Sequence, residues 1–502
     1  MFDRLPEPLA GILTQFSSLL PEEMPFYLVG GAVRDLLRGV PVHDLDLVLP
    51  TGAILTARRL ADSIGAAFYP LDVERDTARL VLMQPNQPRL VIDIAALRGG
   101  DLHNDLHRRD FTINALALNL RQASALIDPL GGAMDLHARR LRACSPTALQ
   151  EDPVRVVRAV RLAFSLELKI LPETTALLRQ AAPLLPRVSN ERLRDELFRI
   201  LDQPFAASAV RVLDRLGALP YLLPELVHLQ GVSQGEPHVQ DVWEHTLDVT
   251  GRLQTILNVL GLVYDPEGAG NLAAGLVAQR LGRYRTQISS HLEEPFTPDR
   301  SARPLLTLAA LYHDIAKPET RQVSPDGRIR FFNHEQRGAE VSFQRARTLR
   351  LSLDEAERLS SVVRHHMRPL FLSQLKGLPT RRAIYRFFRA AGPAGVDICL
   401  LSMADFLGTY GSGLPQKAWG HHLDVVQVLM DALWETPEQV ISPPRLVNGS
   451  QLIDHFGLAP GPQIGALLDA IQEAQASGEV STVQQAFDLA GRMLNASSGS
   501  TA

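Results

Sequence analysis

The sequence predicts an α+β head followed by an all-α remainder. Three observations carry that prediction. Short β-rich runs alternate with helical patterns from Phe26 to about Asp128, and the apolar spacing turns helical at Asp152 and stays so. With 502 residues the chain is also too long for one hydrophobic core. In the head, 26–29, 46–49, 80–83 and 90–94 read as strands, and 56–65 as a helix between them. Asp128-Pro129-Leu130-Gly131-Gly132 is a turn that closes this part. Helical spacing follows over 152–168, 173–181, 189–202 and 205–216, and the proline-rich 219–224 marks a boundary. A second helical region runs to about residue 412, interrupted by a polar stretch at 284–304. Within it, 323–332 reads as a hairpin around Asp326-Gly327. Residues 416–490 form a helical tail, 1–20 an amphipathic helix or lead-in, and the Ser- and Gly-rich end is expected to be disordered. The division that follows is 1–145 (head), 146–225 (helical neck), 226–415 (second helical domain) and 416–502 (tail).

Composition narrows the functions. A chain that is 45% hydrophobic and 21% charged is ordinary for a globular protein. No apolar run reads as long enough to span a bilayer, and the N-terminus lacks a basic-then-apolar signal pattern, so no membrane partner is expected. The two cysteines, Cys144 and Cys399, are far apart, which argues against a disulfide framework or a cysteine-based zinc site. They fit a reducing, cytoplasmic compartment. The net charge of −4 means that any nucleic-acid surface must be local.

The chemistry begins at Tyr27-Leu28-Val29-Gly30-Gly31-Ala32-Val33-Arg34-Asp35, followed by His43-Asp44-Leu45-Asp46. An apolar strand enters a Gly-Gly turn and a helix, a combination that lets backbone approach a phosphate. Asp44 and Asp46 sit two apart on a strand, so their carboxylates share a face and can hold Mg²⁺ against a triphosphate. Nucleotidyl transfer is the leading expectation from these residues. Three further signatures follow in order: Arg108-Arg109-Asp110-Phe111-Thr112-Ile113-Asn114-Ala115, then Asp128-Pro129 with Gly131-Gly132 and Asp135-Leu136, then Glu151-Asp152-Pro153-Val154-Arg155 with Arg158 and Arg161. Together the four resemble the class II tRNA nucleotidyltransferase and bacterial poly(A) polymerase family over roughly residues 25–200.

That resemblance implies a head with a palm like that of polymerase β. Asp44 and Asp46 would bind Mg²⁺, and Asp93, on a neighbouring predicted strand, is a third candidate carboxylate that would help deprotonate the attacking 3′-hydroxyl. A turn-capping role at a strand end is the alternative for Asp93. Gly30, Gly31 and Arg34 would meet the triphosphate, and Arg109 and Asp110, with Asn114 nearby, match the motif associated with the ribose. Asp152 and Arg155 match the family pair that chooses the base: a carboxylate accepts from an amino group and a guanidinium donates to ring acceptors, so one pair suits both CTP and ATP. Asp152, Arg155, Arg158 and Arg161 recur every three residues and would lie along one helix. Asp152-Pro153 also reads as an N-cap and N1 pair opening that helix. Asn190 to Leu197 resembles the motif whose helix supports the base-reading helix. Family members that add the full CCA end commonly carry an extended flexible loop before the Arg-Arg-Asp motif, whereas here the link from Ala96 to His107 is short, as in CC-adding relatives. Addition of CCA, of CC alone, or work beside a separate A-adding partner therefore stays open. A poly(A) polymerase is a rival, disfavoured because no strongly basic tail occurs.

A second constellation lies downstream. His245, His313-Asp314, His334, His366 and Asp405 occur in the order of the HD phosphohydrolase superfamily, which this part resembles. The resemblance implies an all-helical fold in which imidazoles and carboxylates bind a divalent transition metal or Mg²⁺. His245, His313, Asp314 and Asp405 match the core set, and His334 and His366, with or without His365, would extend it to two metals. Lys317 would steady a phosphate or form a surface salt bridge. The partners implied are the 3′ end of tRNA, CTP and ATP. A remoter alternative is an RNA-binding head without activity attached to a working hydrolase.

Overall fold

Alternation decides the head. In the computed structural model, Leu45, Leu47 and Leu49, Ala78 and Leu80, and Ile92 and Ile94 point to one side of a sheet and are fully buried. The structure describes residues 9–42, 44–83, 89–121, 126–263 and 270–498; His43, the first eight residues of the lead-in and the Ser/Gly end beyond 498 lie outside them. Seven strands, β1 (Tyr27–Val29), β2 (Asp44–Leu49), β3 (Ala67–Asp72), β4 (Thr77–Leu82), β5 (Leu90–Ala96), β6 (Ala117–Asn119) and β7 (Leu126–Ile127), form one sheet in the order β3-β4-β5-β2-β1-β6-β7. Only the β2–β5 pairing is parallel; the others are antiparallel. Helices α1 (Leu9–Ser18), α2 (Gly31–Arg38) and α3 (Ala53–Ile64) cover the apolar side, with Phe16 and Phe26 fully buried between them and the sheet. The opposite side carries Asp44, Asp46, Arg79 and Asp93 at the alternate positions of β2, β4 and β5.

The strands expected at 26–29, 46–49, 80–83 and 90–94 are present with shifted ends. The sequence did not announce β3, whose residues are half-buried or exposed, or the three-residue β6. The turn at Asp128 is built by its carboxylate, which accepts from Gly132 N at 2.7 Å and Ala133 N at 2.9 Å to open α4 (Gly132–His137).

The remainder is helical. Contacts divide the chain into two compact units, residues 1–196 with 212–222, and residues 197–211 with 223–502. After the sheet, the first unit holds the helices Arg155–Ser165 and Pro172–Ala181 and the start of Asn190–Leu201. In the second, the stretch at 284–304 is not a break: it holds the helix Arg285–Leu292 and a small hairpin, because Ile288 and Leu292, four apart, bury one face of an otherwise polar sequence. The hairpin around Asp326-Gly327 pairs Arg321–Val323 with Ile329–Phe331. One stretch, Arg381–Gly413, does reach a mean hydropathy of 1.4 over 18 residues, contrary to the expectation of no such run. Of that 18-residue window 83% is buried, and the stretch is two helices, Arg381–Ala391 and Gly395–Tyr410, the second enclosed on all sides from Gly395 to Gly408. The tail has its own small core, with Leu452, Leu467 and Ile471 buried.

Candidate active site and histidine cluster

The Gly-Gly turn and the paired carboxylates meet because β1 lies against β2 with Val29 opposite Asp46. Gly30 follows directly, at φ +74°, and its N–H donates to Leu116 O at 3.1 Å. A Cβ at Gly30 would sit 3.1 Å from both Asp46 Oδ2 and Arg109 Nη1, so the turn admits only glycine beside the carboxylate. Asp46 is half-buried, and burial pushes its carboxyl up to about 6, with Arg109 pulling the other way and Asp93 and Asp44 adding to the rise. Asp44 is exposed at the start of the strand. Asp93 is not a strand-end cap: it is central in β5, in register with Asp46, and both its oxygens accept from Arg79 at 2.8 Å. These carboxylates give the head a donor set suited to a divalent cation.

Around Asp46 runs a cavity of about 350 Å³. Gly30, Gly31, Arg34, Arg109, Asp110, Asn114, Arg155, Arg158 and Arg161 all line it; Asp44, Asp93 and Asp152 do not. The polar groups form a chain. Arg34 Nη1 donates to Asn114 Oδ1 at 2.8 Å, and Asn114 Nδ2 donates to Asp110 Oδ1 at 3.1 Å. Burial opposes charge on Asp110, but Arg158 and Arg155 hold its carboxyl below the usual range. Arg158 and Arg161 are both anchored on Glu196, at 3.0 and 2.7 Å. Glu196 belongs to the helix Asn190–Leu201, the segment that resembles the family's supporting motif.

The residues expected to read the base depart from the expected single helical face. The helix begins at Arg155, capped by the backbone of Val154, so Asp152 precedes it and Pro153 is not its N1. Asp152 instead ends the short helix Ala148–Glu151, at φ −144° and ψ 88°. A turn separates the two helices, because the pre-proline position disfavours helical geometry. Arg155 is buried and donates to the carbonyls of Ala148 at 2.8 Å and Arg108 at 2.9 Å. Asp152 Oδ2 accepts from Arg192 Nη2 at 2.7 Å, with Arg155 Nε at 3.9 Å. Asp152, Arg155 and Arg192 line a second cavity of about 750 Å³, which shares Arg98, Arg108 and Arg155 with the first. Arg98 and Arg192 are contributions that motif reading did not single out, and Arg108, which opens the second signature, was given no role there. The third signature is architectural: Asp135 Oδ2 accepts from Thr112 Oγ1 at 2.7 Å and Arg142 Nε at 2.8 Å, fixing the turn between Asp110 and Asn114.

In the second unit, five helices and one turn bring the histidines together. His245 comes from the helix Val242–Val259 and Asp405 from Gly395–Tyr410. His313 and His366 sit at helix C-termini, and His334 opens the helix His334–Thr348. His245, His313 and Asp314 can converge on one ion, and Asp314, His334 and His366 on another. Asp405 Oδ1 lies 3.1 Å from His245 Nε2 and 3.8 Å from His313 Nε2. His313, His334 and His366 each place Nδ1 within 2.7–2.9 Å of the carbonyl three residues earlier. A carbonyl only accepts, so each Nδ1 carries a proton, and in the neutral ring each Nε2 keeps its lone pair. Those Nε2 atoms are buried without a hydrogen-bond partner among the described residues. That is the signature of a metal-ligand set rather than of packed histidines. Burial opposes charge on Asp314, yet His313 and Lys317 hold its carboxyl well below the usual range. His365 is half-buried and takes no part in either group. Lys317 is not a surface residue: it is buried, 2.6 Å from Asp314 and donating to Gln234 at 2.6 Å. His238, unremarked in the sequence, packs its ring 5.0 Å from that of His245.

A palm-like sheet with carboxylates beside a Gly-Gly turn, joined to a helical His/Asp cluster, defines a nucleotidyltransferase head with an HD domain. Residues 26–142 match the poly A polymerase head domain, 167–229 the family described as the probable RNA and SrmB-binding site of polymerase A, and 242–385 the HD domain. An A-adding tRNA nucleotidyltransferase of Deinococcus radiodurans is 35% identical over 465 residues, covering 91% of this chain and 93% of the relative. A CC-adding tRNA nucleotidyltransferase of Thermus thermophilus is 34% identical over 479 residues, covering 92% and 94%. A solved CCA-adding enzyme in complex with CTP shares the fold, with TM-score 0.61 at 20% identity over 98% of this chain and 97% of the other. The chain belongs to the tRNA nucleotidyltransferase family.

Proposed function

We propose that this protein adds part of the CCA end to tRNA 3′ termini from CTP or ATP, without a nucleic-acid template. The observation that carries the reading is the face shared by Asp44, Asp46 and Asp93, of which Asp46 meets Gly30 and Arg109 at the cavity of about 350 Å³. Asp44 and Asp46 hold Mg²⁺, which when bound supplies activation of the attacking hydroxyl and neutralises the departing pyrophosphate. Asp93 is the third carboxylate. Gly30, Gly31 and Arg34 receive the triphosphate, Arg109, Asp110 and Asn114 the ribose side, and Asp152, Arg155, Arg158 and Arg161 the base. The neck and tail hold the acceptor stem by shape and backbone contacts.

The short link before Arg108 supports CC addition. It is folded, with a helix over Leu102–His107 capped by Asp101, and leaves no long free loop. Full-length similarity to the Deinococcus enzyme supports A addition as the second reading. The HD cluster holds a divalent ion, and its imidazole-rich donors favour a transition metal over Mg²⁺ for phosphate-ester hydrolysis. Parts 1–145, 146–225, 226–415 and 416–502 serve as head, neck, HD domain and tail. The cytoplasm is the working compartment, consistent with two free cysteines whose thiols burial pushes up and out of reactivity.

The test is extension of tRNA lacking CCA, resolved to single nucleotides, with CTP and ATP separately and together, and tRNA ending in CC in parallel. Arrest at CC supports the first reading, a single A added only to the CC substrate the second. Growth to CCA from CTP plus ATP overturns the restriction to part of the end, and no incorporation at all overturns the assignment.

A further inference from the structure

Asp93 does not stand free beside the other carboxylates. Arg79 faces it across the antiparallel β4–β5 register, and Nε and Nη2 donate to Oδ1 and Oδ2, both at 2.8 Å. On its other side Asp93 faces Asp46 across the parallel β2–β5 register. Strand alternation therefore sets Arg79, Asp93 and Asp46 in a row across three strands, on the face away from the apolar core. The fork of Arg79 takes both oxygens of one carboxylate, the strongest pairing a guanidinium makes. The pair is partly open to solvent, at 42% and 29% side-chain exposure, so a cation can reach it.

We propose that Arg79 is a positioning residue: it is the resident counter-cation of Asp93, and a divalent ion entering among Asp44, Asp46 and Asp93 must compete with it. A metal ion approaching the free head meets one carboxylate already paired and a guanidinium charge close by. Arg79 thus weakens metal binding by the head until a nucleotide brings its own negative charge. This rests on the reading above, in which Asp44 and Asp46 hold the ion.

The experiment is Mn²⁺ titration calorimetry on the full chain without nucleotide or RNA. The isotherm of Asp44→Asn/Asp46→Asn is subtracted to remove binding by the histidine cluster. A unit charge two strands away, in a partly solvated site, is worth about five- to tenfold in affinity. Arg79→Ala is expected to bind Mn²⁺ tighter by about that factor. Arg79→Lys, which keeps the charge, stays near the wild type. In an Asp93→Asn background the gain from Arg79→Ala falls to less than half. Arg79→Gln gives the same reading should the alanine variant fail to fold. Equal affinities in wild type and Arg79→Ala overturn the inference, as does an equal gain with and without Asp93. If Asp44→Asn/Asp46→Asn binds Mn²⁺ like the wild type, the metal-site reading itself falls; if that binding is lost but Arg79→Ala changes nothing, only the role of Arg79 falls.

Discussion

Replacing Gly132 by alanine tests how the third signature serves the site. Gly131 and Gly132 are neighbours, yet they are glycines for different reasons. Gly131 has φ +71°, and a Cβ there meets nothing nearer than Arg142 Nη2 at 3.6 Å. Its alanine variant bears only the left-handed backbone cost of about 1–2 kcal/mol. A Cβ on Gly132 would lie 1.9 Å from Thr112 O and 2.6 Å from its carbonyl carbon. Backbone must then move by about 1 Å, and overpacking of this kind costs about 3 kcal/mol or more. For a unit of this size that is a fall of about 6–12 °C in midpoint. All three tryptophans, Trp243, Trp419 and Trp434, lie in the second unit, so their emission is an internal control. Calorimetry and far-UV dichroism should show the first unit melting earlier in Gly132→Ala, with the tryptophan-detected transition unmoved. Thr112 lies between Asp110 and Asn114, so nucleotide affinity should fall in the folded fraction as well. A Gly132→Ala midpoint equal to wild type, or a larger loss in Gly131→Ala, would refute the reasoning.

Two other outcomes follow from the sites. Asp46, pushed up to about 6, is protonated and unable to hold a cation at lower pH. Extension at limiting Mg²⁺ should therefore be flat above about pH 6 and drop about tenfold per unit below it; a flat profile down to pH 4.5 would remove Asp46 from the metal site. His313→Ala with Asp314→Ala should lose bound metal by elemental analysis while tRNA extension continues at the wild-type rate; unchanged metal content would dismiss the ligand set.

The architecture of both units was legible because their signals are local. Gly30, Asp44 and Asp46 fall at fixed offsets along a strand-turn-helix-strand, and alternation alone puts the two carboxylates on one face. The His313-Asp314 doublet closes an apolar helix whose pattern is plain. What could not be read was the partner each group finds across the fold. Arg79 and Asp93 are 14 positions apart, and nothing in either strand announces that they face each other. Arg192 reaches Asp152 from 40 positions away. The spacing of Asp152, Arg155, Arg158 and Arg161 suggested one continuous face, but Pro153 breaks the run, leaving an acid on a turn and a buried guanidinium at the helix start. The polar stretch at 284–304 misled for a related reason, since two buried residues are enough to dock a helix whose composition looks like a loop.

The two ligand groups of the histidine cluster have one member in common, and that sharing limits how the seats can fill. Asp314 presents one oxygen toward His245 and His313 and the other toward His334 and His366. An ion in the first seat withdraws charge from the carboxylate that the second seat depends on, and it repels its neighbour directly. The two affinities must therefore differ even where the donors are alike. The cluster would load in two separated steps, with a half-filled state between them, and a chelator strong enough for the looser seat alone would leave that state behind.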